Sequence, residues 1–215
     1  MTDTDPRPKA SEAAQEPPRR GLPWPRFLVV AILIAVDLWT KSAIFEWMTP
    51  VAGQAPPDGI EFWAENGRLR FEVLGDFLGF MLSLNKGAAW GFGDNMPHVL
   101  IGGRVVASIV LTVLLWRADR RHPWTLAALA LILSGALGNL HDNLLLPPAP
   151  DHPYGAVRDF IHVYFGWWDY HFPTFNVADS CITVGAAILI VGGLFGKSEE
   201  TASAEAAASP TSDAA

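Results

Sequence analysis

Apolar residues fall along this chain in four long runs, separated by polar connections of unequal length. The first run covers Trp24 to Trp47, with Phe27 to Val36 unbroken and Asp37 and Lys41 behind it. The second covers His98 to Trp116, the third Trp124 to Leu140 and the fourth Val177 to Phe195. Each is close to the ~20 residues that a helix needs to cross ~30 Å of hydrocarbon. The connections carry a different signal. Arg68-Leu69-Arg70-Phe71-Glu72-Val73 alternates, which predicts a short half-buried strand. Phe77 to Leu84 is apolar but too short to span, and lies in the interface or pairs as a strand. The expected fold is an all-α membrane protein, a four-transmembrane-helix bundle with small β-containing extracytoplasmic elements. No internal repeat is visible.

Composition separates this domain from its ends. Residues 1–23 and 197–215 are polar and rich in Pro, Ala, Ser and Glu. Such segments cannot bury enough apolar surface to offset the entropy of ordering, so both are expected as disordered tails around a membrane domain at 24–196. A polar tail ahead of a run long enough to span reads as a retained first helix, not a cleaved signal peptide. The formal net charge of -7, with no basic patch interleaved with aromatics, argues against nucleic-acid binding. Cys181 is the single cysteine, so no intramolecular disulfide is available.

Charge also gives an orientation. Arg19, Arg20 and Arg26 precede the first run, Arg117, Arg120 and Arg121 crowd the connection between the second and third, and Lys197 follows the fourth. The first long connection is acidic, with Asp58, Glu61, Glu65, Glu72 and Asp76. The positive-inside rule then puts both termini in the cytoplasm and segments 48–97 and 143–176 on the far side. Trp24, Trp47, Trp116 and Trp124 stand near span ends, as an aromatic belt would.

Five polar clusters stand near the outer ends of the runs. Asp37 and Lys41 are four apart and share a helix face, as a site or as an ion pair that holds a bundle together. Asn85 to Gly91 combines an amide with small residues that allow close backbone approach, and alone reads as a turn. In Ser134 to Asp142, Gly135 and Gly138 suit tight helix packing, and Asn139 and Asp142 are three apart. Asp159 precedes apolar Phe160 and Ile161, at the same membrane depth as Asp179. Asp179 lies about one turn inside an apolar helix, where an isolated charge is expensive and usually functional. Peptide hydrolysis needs a base to activate water and an acid to polarise the carbonyl and protonate the leaving nitrogen. Two carboxylates sharing one proton supply both and titrate as a unit.

Taken in order, the clusters resemble signal peptidase II, the lipoprotein signal peptidase of bacterial inner membranes. The matching motifs are Asp-x-x-x-Lys at Asp37 and Lys41, Asn-x-Gly-Ala-Ala at Asn85, Gly-Ala-x-Gly-Asn at Gly135 to Asn139, Asp-Phe-Ile at Asp159, and Phe-Asn-x-Ala-Asp-Ser at Phe175 to Ser180. The resemblance covers about residues 25–195. It implies an aspartyl endopeptidase that cuts the signal peptide from a diacylglyceryl-modified prolipoprotein, just before the lipidated cysteine. Asp159 and Asp179 would then be the catalytic pair. Asn139 and Asn176 would position the dyad and the substrate backbone, and Asp37, Lys41, Asn85 and Gly135 would shape the site. The resemblance implies no metal or organic cofactor, with membrane lipid as a partner in the bacterial inner membrane. A monomer is the default, and the charge-derived orientation puts the site on the periplasmic side.

Two departures stand out. The family usually carries Asp-Arg after Gly-Asn-x-x, with that arginine helping to hold substrate; here the pair is Asp142-Asn143, and Arg158 is the candidate replacement. The outer segments 51–80 and 144–156 are also extended, the second with Pro147, Pro148, Pro150 and Pro153. Two other functions compete. A membrane metal site could draw on His141, His152, His162 and His171, although no His-Glu-x-x-His occurs. A transporter or scaffold could use Asp37, Lys41 and Asp179 as a polar pathway, although no repeat symmetry supports it.

Overall fold

The structure, a computed structural model, describes residues 24–50, 54–63, 68–87 and 96–208. Its elements run α1 (Trp24–Met48), β1 (Ile60–Trp63), β2 (Arg68–Leu74), β3 (Leu78–Asn85), α2 (Pro97–Arg117), α3 (Pro123–Leu145), β4 (Val157–Phe165), β5 (Tyr170–His171) and α4 (Val177–Ala208). Proline opens both α2 and α3, where its fixed φ is pre-set for a helix and its missing N–H is not needed. By length and composition α1, α2 and α3 can each cross a membrane, whereas the apolar part of α4, Val177–Gly193, is shorter. The α4 backbone stays helical to Ala208, beyond the domain edge expected at residue 196. The tail expected at 1–23, and residues 209–215 of the other, lie outside the described residues.

α3 is central and packs on α1, α2 and α4. The core it shares with α1 and α2 is built from Val30, Leu115, Leu129, Ala130 and Leu133. Outer surfaces of the bundle are just as apolar, with Ile32 of α1, Val106 and Ile109 of α2, and Ile190 of α4 exposed. A helix that is apolar all round suits lipid on one side and protein on the other. At the end of the bundle away from the site, Arg26 Nη1 of α1 donates to the Leu115 and Ala118 carbonyls, both at 2.9 Å. This satisfies carbonyls that the end of α2 would leave open.

The outer segments form more regular structure than an all-α bundle with small β elements would carry. Five strands pair in the order β1-β2-β3-β4-β5, all antiparallel. The expected strands at 68–73 and 77–84 are β2 and β3, and the extension 51–80 supplies β1 beside them. β4 left no alternating signal because its buried positions mix Val157, Asp159, Phe160 and His162. The sheet sits on the C-terminal end of α1, where Trp47 packs edge-on against Phe71 at 4.8 Å and Phe80 meets Phe160 at 6.0 Å between ring centroids. The register sets Ser83 opposite Asp159 and Asn85 opposite Val157, which brings Asn85 beside Asp159. The Pro-rich segment 144–156 is pinned by Lys86 Nζ donating to the Pro150 carbonyl (2.6 Å), by His98 Nδ1 against the Tyr154 hydroxyl (2.9 Å), and by Asn143 Nδ2 donating to the Gly155 carbonyl (2.8 Å).

Candidate active site

The site is assembled at the first turn of α4. Asn176 precedes the helix, and its side-chain Oδ1 accepts from the Asp179 N–H at 2.9 Å. In return Asp179 Oδ2 accepts from the Asn176 N–H at 3.2 Å. This reciprocal capping box satisfies two donors that a helix start leaves open. The next open donor, Ala178 N–H, is taken by Asp37 Oδ1 of α1 at 2.8 Å. The Phe-Asn-x-Ala-Asp stretch is therefore a helix cap that also fixes where the Asp179 carboxylate points.

Asp159 reaches the same point from β4, in the outer segment between α3 and α4. Its side chain is almost fully buried. Asn85 Nδ2 donates to Oδ2 at 3.1 Å and Asn176 Nδ2 donates to Oδ1 at 2.6 Å. Asn139 Nδ2 of α3 donates to Asp179 Oδ1 at 2.8 Å, and Asn139 Oδ1 accepts from Asn176 Nδ2 at 3.1 Å. Three asparagines thus hold two carboxylates. The amide orientations follow from the partners: Asn176 Oδ1 faces a backbone N–H and Asn139 Oδ1 faces the Lys41 ammonium, and neither of those groups can accept. Burial, then the Asp179 charge, pushes the Asp159 carboxyl up to about 7, against the opposing bonds from Asn85 and Asn176 and the Lys41 charge. A buried acid beside a like charge keeps its proton in this way.

Behind the asparagines lies a buried set of charges. Lys41 Nζ, with no exposure, contacts Asp37 Oδ2 at 2.7 Å, Asn139 Oδ1 at 3.0 Å and Asp142 Oδ2 at 3.5 Å. Asp142 is gripped by Arg158 through Nη2 (2.9 Å), Nε (3.3 Å) and the main-chain N–H (3.1 Å). Two carboxylates and two cations balance, the condition under which buried charge is tolerated. Asp37 and Lys41 pair across one helical turn, and Asn139 joins them through Lys41. Arg158 does not serve as the missing cation of the site, because Asp142 and Ser42 Oγ (3.1 Å) occupy its guanidinium. Gly135 stands outside the polar cluster, and a Cβ there would collide with the Ala178 carbonyl. Its contribution is to let α3 approach the first turn of α4.

Asp159 and Asp179 open on a cavity of about 620 Å³, with Asn85 and Asn139 in its wall and Ile182 and Val184 of α4 along its apolar side. Arg104 of α2 also lines it, a residue that the sequence pattern passed over. A guanidinium two turns inside an apolar run was the available signal. The histidines do not converge. His162 stacks on His171, His152 bonds with Tyr154, and His141 lies 3.4 Å from Asp142. Among the described residues no three His, Cys, Asp or Glu come together as a metal site.

Against known proteins, the family model described as signal peptidase (SPase) II matches residues 29–195. A lipoprotein signal peptidase of Mycobacterium avium is 34% identical over 197 residues, which cover 90% of this chain and 91% of that protein. One from Yersinia enterocolitica is 34% identical over 182 residues, covering 82% and 91%. Among solved structures, a bacterial membrane enzyme determined at 2.3 Å shares the fold with a TM-score of 0.64 at 24% identity, over 85% of this chain and 95% of that one.

Proposed function

The chain belongs to the signal peptidase II family, and on that premise we propose that it removes the signal peptides of prolipoproteins with an aspartyl dyad formed by Asp159 and Asp179. Removal of signal peptides from prolipoproteins is the activity its family carries. One observation carries the assignment of the dyad. Asn176 donates to both carboxylates, from its side chain to Asp159 and from its main chain to Asp179, so one residue holds the two acids against one cavity.

The chemistry follows from that arrangement. With Asp159 protonated, the Asp179 carboxylate accepts a proton from water as the water oxygen attacks the scissile carbonyl. Asp159 gives its proton to the carbonyl oxygen, so the developing alkoxide is neutralised. Collapse returns that proton to the dyad, and the proton held by Asp179 passes to the leaving nitrogen as the C–N bond breaks. The three asparagines keep both carboxyls oriented throughout, which is preorganisation and not chemistry. The apolar wall at Ile182 and Val184, continuous with the exposed face of α4, suits a diacylglyceryl group entering from lipid with the modified cysteine beside the dyad. Four helices then span a bacterial inner membrane, with the dyad on the periplasmic side.

Asp159→Asn and Asp179→Asn should each abolish cleavage of a diacylglyceryl prolipoprotein in reconstituted membranes, while each variant still inserts. Turnover at the wild-type rate by either one excludes the dyad. An unlipidated substrate, compared in the same assay, should be cut far more slowly, and equal rates would remove the lipid from the recognition.

A further inference from the structure

Arg104 is the one basic residue in the cavity wall among the described residues, and the proposed function gives it no role. It sits two turns inside α2, in a run where a charge is costly unless it is used. Its neighbours show how it is held. Nη1 donates to Asn143 Oδ1, and Nη2 donates to the Gly87 carbonyl at 3.1 Å. Both acceptors are neutral oxygens. Asn143 is itself clamped, with Nδ2 donating to the Gly155 carbonyl (2.8 Å) and its own carbonyl accepting from the Gly155 N–H (3.0 Å). The extended 144–156 segment thereby fixes the amide that fixes the guanidinium.

The other cations nearby are committed, Lys41 among Asp37, Asn139 and Asp142, and Arg158 on Asp142. A guanidinium has more N–H groups than the two used here, and Arg104 stands in the wall of the cavity shared with Asp159 and Asp179. We infer that Arg104 is the substrate-holding cation of this site, donating to a main-chain carbonyl oxygen of the bound signal peptide beside the scissile bond. A carbonyl is the acceptor its geometry already selects, since an amide oxygen and a peptide oxygen occupy its first two donors. The side chains at 104 and 143 meet at one point, so Asn143 occupies the position from which an arginine could deliver the same group.

The inference rests on the peptidase reading, and the experiment separates the two. Wild type, Arg104→Gln, Asn143→Arg and the double variant are reconstituted and assayed on a diacylglyceryl prolipoprotein, and on an analogue whose acyl esters are replaced by ethers. Absence of cleavage by wild type would refute the peptidase reading. Loss of a hydrogen bond from a charged donor should raise KM about 10- to 100-fold in Arg104→Gln, with kcat changed much less. Loss of the positive charge near Asp159 should also move the alkaline limb of the pH profile to higher pH. Asn143→Arg alone sets two cations together and should lower activity. The double variant returns one guanidinium to the same point and should recover most of the lost affinity; it also serves as the folded test if Arg104→Gln fails to insert. The penalty should be equal on ester and ether substrates. Unchanged KM in Arg104→Gln, or no recovery in an inserted double variant, overturns the inference. A penalty that vanishes on the ether analogue overturns the peptide carbonyl as the group held.

Discussion

Asp159 shows how burying an acid beside a like charge acts against folding. Its carboxyl is buried, accepts from Asn85 and Asn176, and stands near another acid. Burial raises it from the ordinary 3.8 to about 7. Between those two values the folded protein keeps a proton that the unfolded chain has released. The slope of stability with pH has the sign of protons bound by the unfolded state minus those bound by the native one, so here it is negative. Stability is lost as pH rises from about 4 to about 7, and the loss is complete above the folded value. Asp159→Asn removes that titration. It also sets an amide N–H₂ against one of the two amide donors, which costs a constant amount on the order of 1–3 kcal/mol. Absolute stability is therefore a poor readout and the slope a good one. Melting of the two proteins in detergent from pH 4 to pH 8 should show wild type losing stability relative to Asp159→Asn across the window, by at least about 1 kcal/mol. Parallel curves would show that Asp159 titrates normally.

At the scale of elements, the dyad depends on how closely two helices approach. A Cβ on Gly138 would stand 2.5 Å from Asp37 Oδ2, the oxygen that holds Lys41, and 3.4 Å from the Ala178 Cβ. Gly138→Ala must therefore displace the Asp37 carboxylate of α1 from Lys41. Asp37 also accepts from the Ala178 N–H, so its displacement loosens the N-terminal cap of α4 and with it Asp179. We expect kcat to fall about tenfold or more, with stability down by about 1–3 kcal/mol. Gly192→Ala, where a Cβ meets nothing within 4 Å, should change neither. Equal effects of the two substitutions would mean that backbone freedom, not contact, is what matters at residue 138. This closeness was partly legible beforehand, because small residues on a membrane helix announce packing. The helices were legible too, since lipid and core both demand long apolar runs. β4 was not, because polar Asp159 and His162 occupy its buried positions and erase the alternation. Asn85 was named from its motif, but its bond to Asp159 follows only from the register that sets β3 against β4. The role of Arg158 was misplaced for a similar reason: nothing in spacing tells a guanidinium on a strand that its partner is Asp142 on a helix, and the cation that does face the dyad, Arg104, sits on an element that motif order never touched.

The whole molecule is polar in two unequal places. One end of the bundle carries Arg26, Arg117, Arg120 and Arg121 around the α2–α3 connection. The other end carries the sheet, the buried charge set and the dyad, because every chain segment between α1 and α2 and between α3 and α4 emerges there. Cytoplasmic connections hold an excess of arginine and lysine, so the dyad end should face the opposite compartment. That is where a signal peptide already carried across the membrane would present its cleavage point. Single exposed cysteines test the orientation, with the buried Cys181 replaced by serine as background. Asp151→Cys, in the 144–156 segment, should react with a membrane-impermeant thiol reagent in intact spheroplasts. Arg121→Cys should react only after lysis. Both positions are exposed, so accessibility differs by membrane side alone. The reverse labelling pattern would put the dyad in the cytoplasm, and translocated substrates would then have no route to it.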